Sequence, residues 1–312
     1  MRRVFIKSAV SISVLDSFLQ EDLSQLSVSP NGAWTLKEPN YRDYVAPAML
    51  RRASKMMKMS LASSQTALEQ SGIQSPDSII VGTGLGGMTD TVKFLEGSIR
   101  AEEGSLIAPG AFIQSGHNSV SGQIALLLKN QQYNMTHVQK GLSFEYALLD
   151  AMLRVKEGDD AVLLGAVDEK IGVLDQLAER MTWPEDMRRQ LSEGCSFFVV
   201  EGEAATGVEI VEVKISKTED LLSNLDRLLE PHSLNLTDSV QNFVGYSELP
   251  KADLPFAHQV YTDRVGRYFS SSAFGFHLAS DTLKHQGKPG DFATVIHFSD
   301  LQFSSIMLLR RV

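Results

Sequence analysis

An α/β fold is predicted for this 312-residue chain by three observations. Residues 134–169 read as strand, turn, helix and strand; glycine-rich turns follow strands; and the pattern returns in shortened form after residue 206. The first observation is the clearest. Met135 to Val138 is a short apolar run suited to a buried strand, and Gly141 allows the sharp turn after it. From Leu142, apolar residues recur at Ala147, Leu148, Ala151, Met152 and Val155, the spacing of a helix with one face on a sheet. Gly158 suits the helix C-cap, and Ala161 to Val167 is a second buried strand, so a right-handed βαβ crossover is the expected packing.

The elements before this unit are read in order. Met1 to Ser13 has no continuous apolar core or small-residue cleavage site, so it is expected to be the first strand and not a signal peptide. Ser24 to Asp43 holds prolines and an Asn-Gly turn and is an irregular connection. Ala48 to Gln70 carries a Met-rich apolar stripe and predicts one long helix ending at Ser71-Gly72, with the stripe assigned to core packing. Ser78 to Val81 is a strand. The glycines that follow, VGTGLGG at 81–87, fit a tight strand-to-helix turn better than a phosphate loop, because neither G-x-x-x-x-G-K-[ST] nor G-x-G-x-x-G is in register. An acidic ribose partner would have to be Glu102 or Glu103, in a polar loop. Pro109-Gly110 predicts a turn, Phe112 is expected to project into a cavity, and a helix starts at Ser119 with Asn118 or Ser119 as its cap. His117 beside it reads as structural.

Later elements follow the same logic. Cys195 to Glu201 is a strand with Cys195 as a buried small hydrophobe. Strands are expected at Gly207 to Ile215 and Ser239 to Val244, helices at Glu219 to Leu229 and Gly266 to Lys284, and a terminal hairpin from Phe292 to Phe298 and Gln302 to Leu309. His277, Asp281 and His285 share a helix face, read as partly solvated and not as a metal site.

Composition narrows the function. With 43% hydrophobic residues the chain can bury a large core, and its net charge of −9 argues against nucleic acid or an anionic membrane as partner. One cysteine rules out an internal disulfide and fits a reducing compartment. No apolar run reaches the ~18–20 residues of a membrane span, so a cytoplasmic protein is expected.

Six pieces in order then resemble the β-ketoacyl synthase family. They are GTGLGG at 82–87, P-x-x-F at Pro109 to Phe112, N-x-x-x-G-Q-I-A at Asn118 to Ala125, N-x-T at Asn134 to Thr136, LLDAMLRVKEGDDAVLLGAVDE at 148–169 and EGCSFFVVEGE at 193–203. The resemblance implies a thiolase-like αβαβα five-layer sandwich of two similar halves, residues 1–205 and a shortened 206–312. It also implies a Cys on the elbow that takes the acyl chain, with two His residues, one in an H-G-T loop and one beginning a helix.

This sequence departs from that set at every position. The Cys position falls on Gln139, Lys140 or Gly141; Ser143 lacks a G-x-S-x-G frame; the H-G-T loop is replaced by Asn242 to Ser247; the second His is Arg267; and the family's glycine-rich C-terminal motif is degraded at Phe298 to Ser304. His137 and His258 are the weak substitutes, and neither supplies a nucleophile. The chain is therefore most similar to a chain-length-factor type of subunit, catalytically silent, paired with an active ketosynthase and served by an acyl carrier protein. From the family come a dimer interface on Asn134, Met135, Thr136 and His137 and a pocket near Phe112 and Phe144; no metal or cofactor is implied. An acyltransferase with a non-standard site using His258, His137 or Arg267, and a homodimeric acyl-binding protein, are the rival readings.

Overall fold

The computed structural model describes residues 2–26, 34–101, 109–248 and 253–312. Among the described residues ten strands form one sheet. In chain order they are β1 (Val4–Ile12), β2 (Ser78–Gly82), β3 (Tyr133–His137), β4 (Ala161–Asp168), β5 (Gly194–Gly202), β6 (Val208–Lys217), β7 (Gln241–Tyr246), β8 (Gln259–Val260), β9 (Phe292–Phe298) and β10 (Phe303–Arg311). Across the sheet the order is β3-β2-β4-β5-β1-β6-β10-β9-β7-β8, so β6 to β10 repeat the arrangement of β1 to β5 in mirror order. The two halves meet where Phe5 pairs with Glu209 and Ile6 with Val208.

Helices complete the layers. Those of the first half are α1 (Pro47–Leu50), α2 (Lys55–Ser71), α3 (Met88–Arg100), α4 (Pro109–Gln114), α5 (Ser119–Leu128), α6 (Ser143–Glu157), α7 (Gly172–Arg180) and α8 (Glu185–Arg189); α9 (Leu221–Leu229), α10 (Thr262–Val265) and α11 (Ser272–Gln286) belong to the second. Helix α2 packs on β1, β4 and β5, and α5 on β2 and β3, forming one outer layer. Helix α9 covers β6 and β10 on the other side. Between the half-sheets lie α6 and α11, each in contact with strands of both. The result is the thiolase-like five-layer sandwich. At its centre Phe144, Phe198 and Phe276 meet with ring centroids 5.3–5.8 Å apart, in the tilted and edge-on geometries that aromatic quadrupoles favour.

Three local expectations are corrected. The helix predicted over Ala48 to Gln70 is interrupted, because Ser54 accepts a hydrogen bond from the Met57 N–H and starts a new helix at Lys55. Pro109-Gly110 opens α4 and is not a turn, a position where the missing proline N–H costs nothing. The helix predicted from Gly266 starts only at Ser272. Gly266, at φ +76°, ends α10, and the backbone of Arg267 is taken up by hydrogen bonds with Gln190 and Ser192. Glu102, Glu103 and the irregular stretch at 27–33 lie outside the described residues. Strand β8 and helices α7 and α8 were not anticipated.

Candidate functional site: the elbow and the polar chain behind it

The turn between β3 and α6 is built by backbone geometry and one serine. Lys140 takes the left-handed conformation, φ +48°, so the turn is made there and not at Gly141 as expected. The Ser143 hydroxyl accepts the Gln139 N–H at 2.8 Å and stands 2.9 and 2.7 Å from the carbonyls of Thr83 and Lys140. Gly141 is required for a different reason. A Cβ on it would lie 2.6 Å from Ser299 Oγ and 2.9 Å from Ser247 Oγ, so the second half closes directly onto the elbow. No side chain fits at Gly141 without displacing those serines.

Behind the elbow runs a buried polar chain. Ser247, just past β7, has its Oγ 2.9 Å from Nε2 of His297 on β9, and His297 Nδ1 is 2.5 Å from the hydroxyl of Tyr261. Burial, assisted by the Arg267 guanidinium, pushes the His297 imidazole down to about 3, so it stays neutral. Sequence reasoning missed His297. It sits in FATVIHF, an ordinary buried strand, and its partners are 50 and 36 residues away in the chain.

The glycine-rich loop has an internal anion. Asp168, the last residue of β4, accepts from Gly84 N–H at 2.9 Å and Thr83 Oγ1 at 3.1 Å through one oxygen, and from Ser270 N–H at 2.8 Å through the other. Burial lifts its carboxyl above the usual range against the pull of those donors. Glu169 accepts from Thr89 N–H at 2.7 Å and so caps the start of α3. Donors that could cradle a phosphate are spent on the protein's own carboxylates, and Gly84 is glycine because a Cβ there would meet Phe269.

The remaining predicted residues fall in several places. Gln139 and Lys140 are exposed at the elbow. Arg267 is buried, its Nε bonded to Gln190 Oε1 at 2.7 Å and its guanidinium 5.7 Å from the Tyr246 ring centroid. Phe269, not Arg267, is the residue of that stretch whose backbone touches Ser247, at 3.4 Å. His137 ends β3 and binds Asp150 of α6 at 2.9 Å. His258 immediately precedes the edge strand β8, near the level of Asn242, five residues or about 16 Å along β7 from Ser247. It is not part of the elbow, and its Nδ1 faces the Phe256 carbonyl.

Phe112 does not project into a cavity; it is 61% exposed and lies against Phe94. Phe144 is in the central aromatic cluster. Asn134, itself exposed, and the half-buried Thr136 reach Ser121 of α5, and Met135 is exposed on β3, whose outer edge has no strand partner among the described residues. Leu126 and Ile113 nearby are 73% and 71% exposed and border a groove of about 630 Å³ with Met49 and Met57.

The face of His277, Asp281 and His285 is not solvated as expected. His277 is 2% exposed and bonded to Ser11 Oγ at 2.8 Å; Asp281 accepts the Leu23 N–H at 3.0 Å; only His285 reaches the surface. No metal-binding cluster occurs among the described residues, and no helix among them is long and apolar enough to cross a membrane. Cys195 is buried beside Ser63, its thiol pushed up to about 12 by burial, and is inert as a nucleophile.

Comparison with known proteins agrees with this frame. The profile described as beta-ketoacyl synthase, N-terminal domain, matches residues 25–213, and the chain belongs to that family. No curated protein sequence matches it. Among solved structures it is similar to the ishigamide ketosynthase/chain length factor, at 13% identity over 99% of both chains with a TM-score of 0.78. It is also similar to a beta-ketoacyl synthase from Burkholderia phymatum STM815, at 13% identity over 100% of both chains with a TM-score of 0.69. A third is the ketosynthase ApeO in complex with its chain length factor ApeC from Xenorhabdus doucetiae, at 13% identity over 99% of both chains with a TM-score of 0.58.

Proposed function

We propose that this protein is the chain-length-factor type of partner to an active β-ketoacyl synthase, acting in polyketide-like chain elongation on carrier-bound acyl groups. The observation that carries the reading is the elbow. In a ketosynthase frame the thioester-forming cysteine belongs there, and here Gly141 is pressed against Ser247 and Ser299 with no room for a side chain. The only cysteine lies elsewhere, buried in β5. Condensation then needs a nucleophile from a second subunit.

A docking face for that subunit is supported by the open edge of β3 and the apolar residues Met135 and Leu126 beside it. Two of the similar structures are described as a ketosynthase with its chain length factor, which is the pairing proposed here. The test is acyl loading. Incubated with an acyl carrier thioester and a Cys-bearing ketosynthase, the label is expected as a thioester on the ketosynthase alone. A thioester on Cys195 of this chain would overturn the reading.

A further inference from the structure

We propose that Ser247 is an acyl-accepting nucleophile, served by His297 and oriented through Tyr261, at the elbow position that the first half leaves without a side chain. The oxygen stands 2.9 Å from where a Gly141 Cβ would be, next to Ser299 Oγ at 2.6 Å, so the two hydroxyls border the space that an elbow side chain would enter. The elbow it borders leads directly into α6, a 15-residue helix whose N-terminal dipole favours negative charge developing there.

The geometry meets the requirements of a nucleophile, a base and an orienting group in sequence. Ser247 Oγ to His297 Nε2 is 2.9 Å, and His297 Nδ1 to Tyr261 is 2.5 Å. Base action at Nε2 requires the tautomer with the proton on Nδ1: Nδ1–H then donates to the Tyr261 oxygen, Nε2 presents its lone pair to Ser247, and the Ser247 hydroxyl turns to Nε2 from the Phe269 carbonyl, which it also reaches at 3.4 Å. Burial keeps the imidazole neutral, the form that can take a proton, though as a weak base, so slow turnover is expected. Ser247 is 5% exposed; the exposed Gln139 and Lys140 stand on the elbow beside it, and Lys140 and Asp300 both face Glu248, the next residue along.

The substrate class, an acyl thioester, rests on the proposed function; the Ser-His-Tyr geometry does not. In the reaction the Ser247 oxygen bonds to the acyl carbon and its proton passes to His297 Nε2. The carbon–sulfur bond then breaks, and the departing thiolate takes that proton. Water repeats the steps on the serine ester, releasing the carboxylic acid and restoring Ser247. The net reaction is thioester hydrolysis.

The test is labelling of the intact protein with hexyl fluorophosphonate, mapped by peptide mass spectrometry. One adduct is expected on Ser247, absent in Ser247→Ala and formed at least tenfold more slowly in His297→Gln, with folding of each variant checked by circular dichroism. Hydrolysis of hexanoyl-N-acetylcysteamine should fall in parallel. No adduct on the native protein, an adduct on another serine, or equal rates with His297→Gln would overturn the proposal and leave a hydrogen-bonded core cluster only. Co-purification with a ketosynthase, followed alongside, reports on the partner role separately, because Ser247→Ala leaves the β3 edge intact.

Discussion

The two central helices, α6 and α11, hold the same layer and read very differently. Helix α6 keeps Tyr146 and Leu153 in solvent and buries one stripe, whereas α11 is buried on every side from Ser272 to Leu283 because half-sheets close on both of its faces. An amphipathic stripe announces itself in sequence, and a helix wrapped on all sides does not. Polar residues on α11 look solvated until the structure shows their partners inside: Ser11 for His277, the Leu23 N–H for Asp281 and the Leu278 carbonyl for Thr282. Burial of these three groups is tolerable because each of them is paired.

That contrast can be broken first where it is strongest. Phe276→Ala on α11 removes a ring packed against Phe144 and Phe198 and is expected to cost about 3–5 kcal/mol in urea unfolding. The next effect is electrostatic and belongs to α6. Glu145 is pushed up to about 7 by burial, above an ordinary value of 4.5. A raised carboxyl means that the folded state holds the proton longer than the unfolded state does. Its contribution to stability is therefore full below about 4.5 and is lost as pH rises to about 7, a change of about 3 kcal/mol. Comparing unfolding free energies from about pH 4.5 to about 8 should show the wild type losing about 3 kcal/mol more than Glu145→Gln over that range.

Smaller effects sharpen the picture at the elbow and at the surface. Gly141→Cys places a side chain against Ser299 and Ser247 and is expected to cost about 1–3 kcal/mol without creating condensing activity, read by unfolding and by acyl loading. Leu153→Ala, on the exposed face of α6, should change stability by no more than about 0.5 kcal/mol in the same assay.

Much of the frame was legible because local rules and tertiary packing agree in the first half. The strand at 135–138, the stripe from Ala147 to Val155 and the strand at 161–167 follow from period and glycine punctuation, and the structure places β3, α6 and β4 there. Strand β3, expected to be buried, is instead an edge strand with no fully buried residue, because it has a strand neighbour on one side only among the described residues. The site was legible only as an absence. That no Cys stands at the elbow is visible in the chain; that Ser247 and Ser299 stand against Gly141, with His297 behind Ser247, is not, since these residues come from positions more than 100 away in the chain. Asp168 illustrates the same limit. A glycine-rich loop shows that backbone donors are available, and only the fold shows that a carboxylate at the end of β4 already holds them.

The most direct test is to purify the tagged protein from its own cells and weigh the intact complex by native mass spectrometry. The account predicts a one-to-one assembly with a ketosynthase that carries the elbow cysteine, weakened by Met135→Glu on the open edge of β3. Recovery of a homodimer alone, unaffected by that substitution, would contradict it.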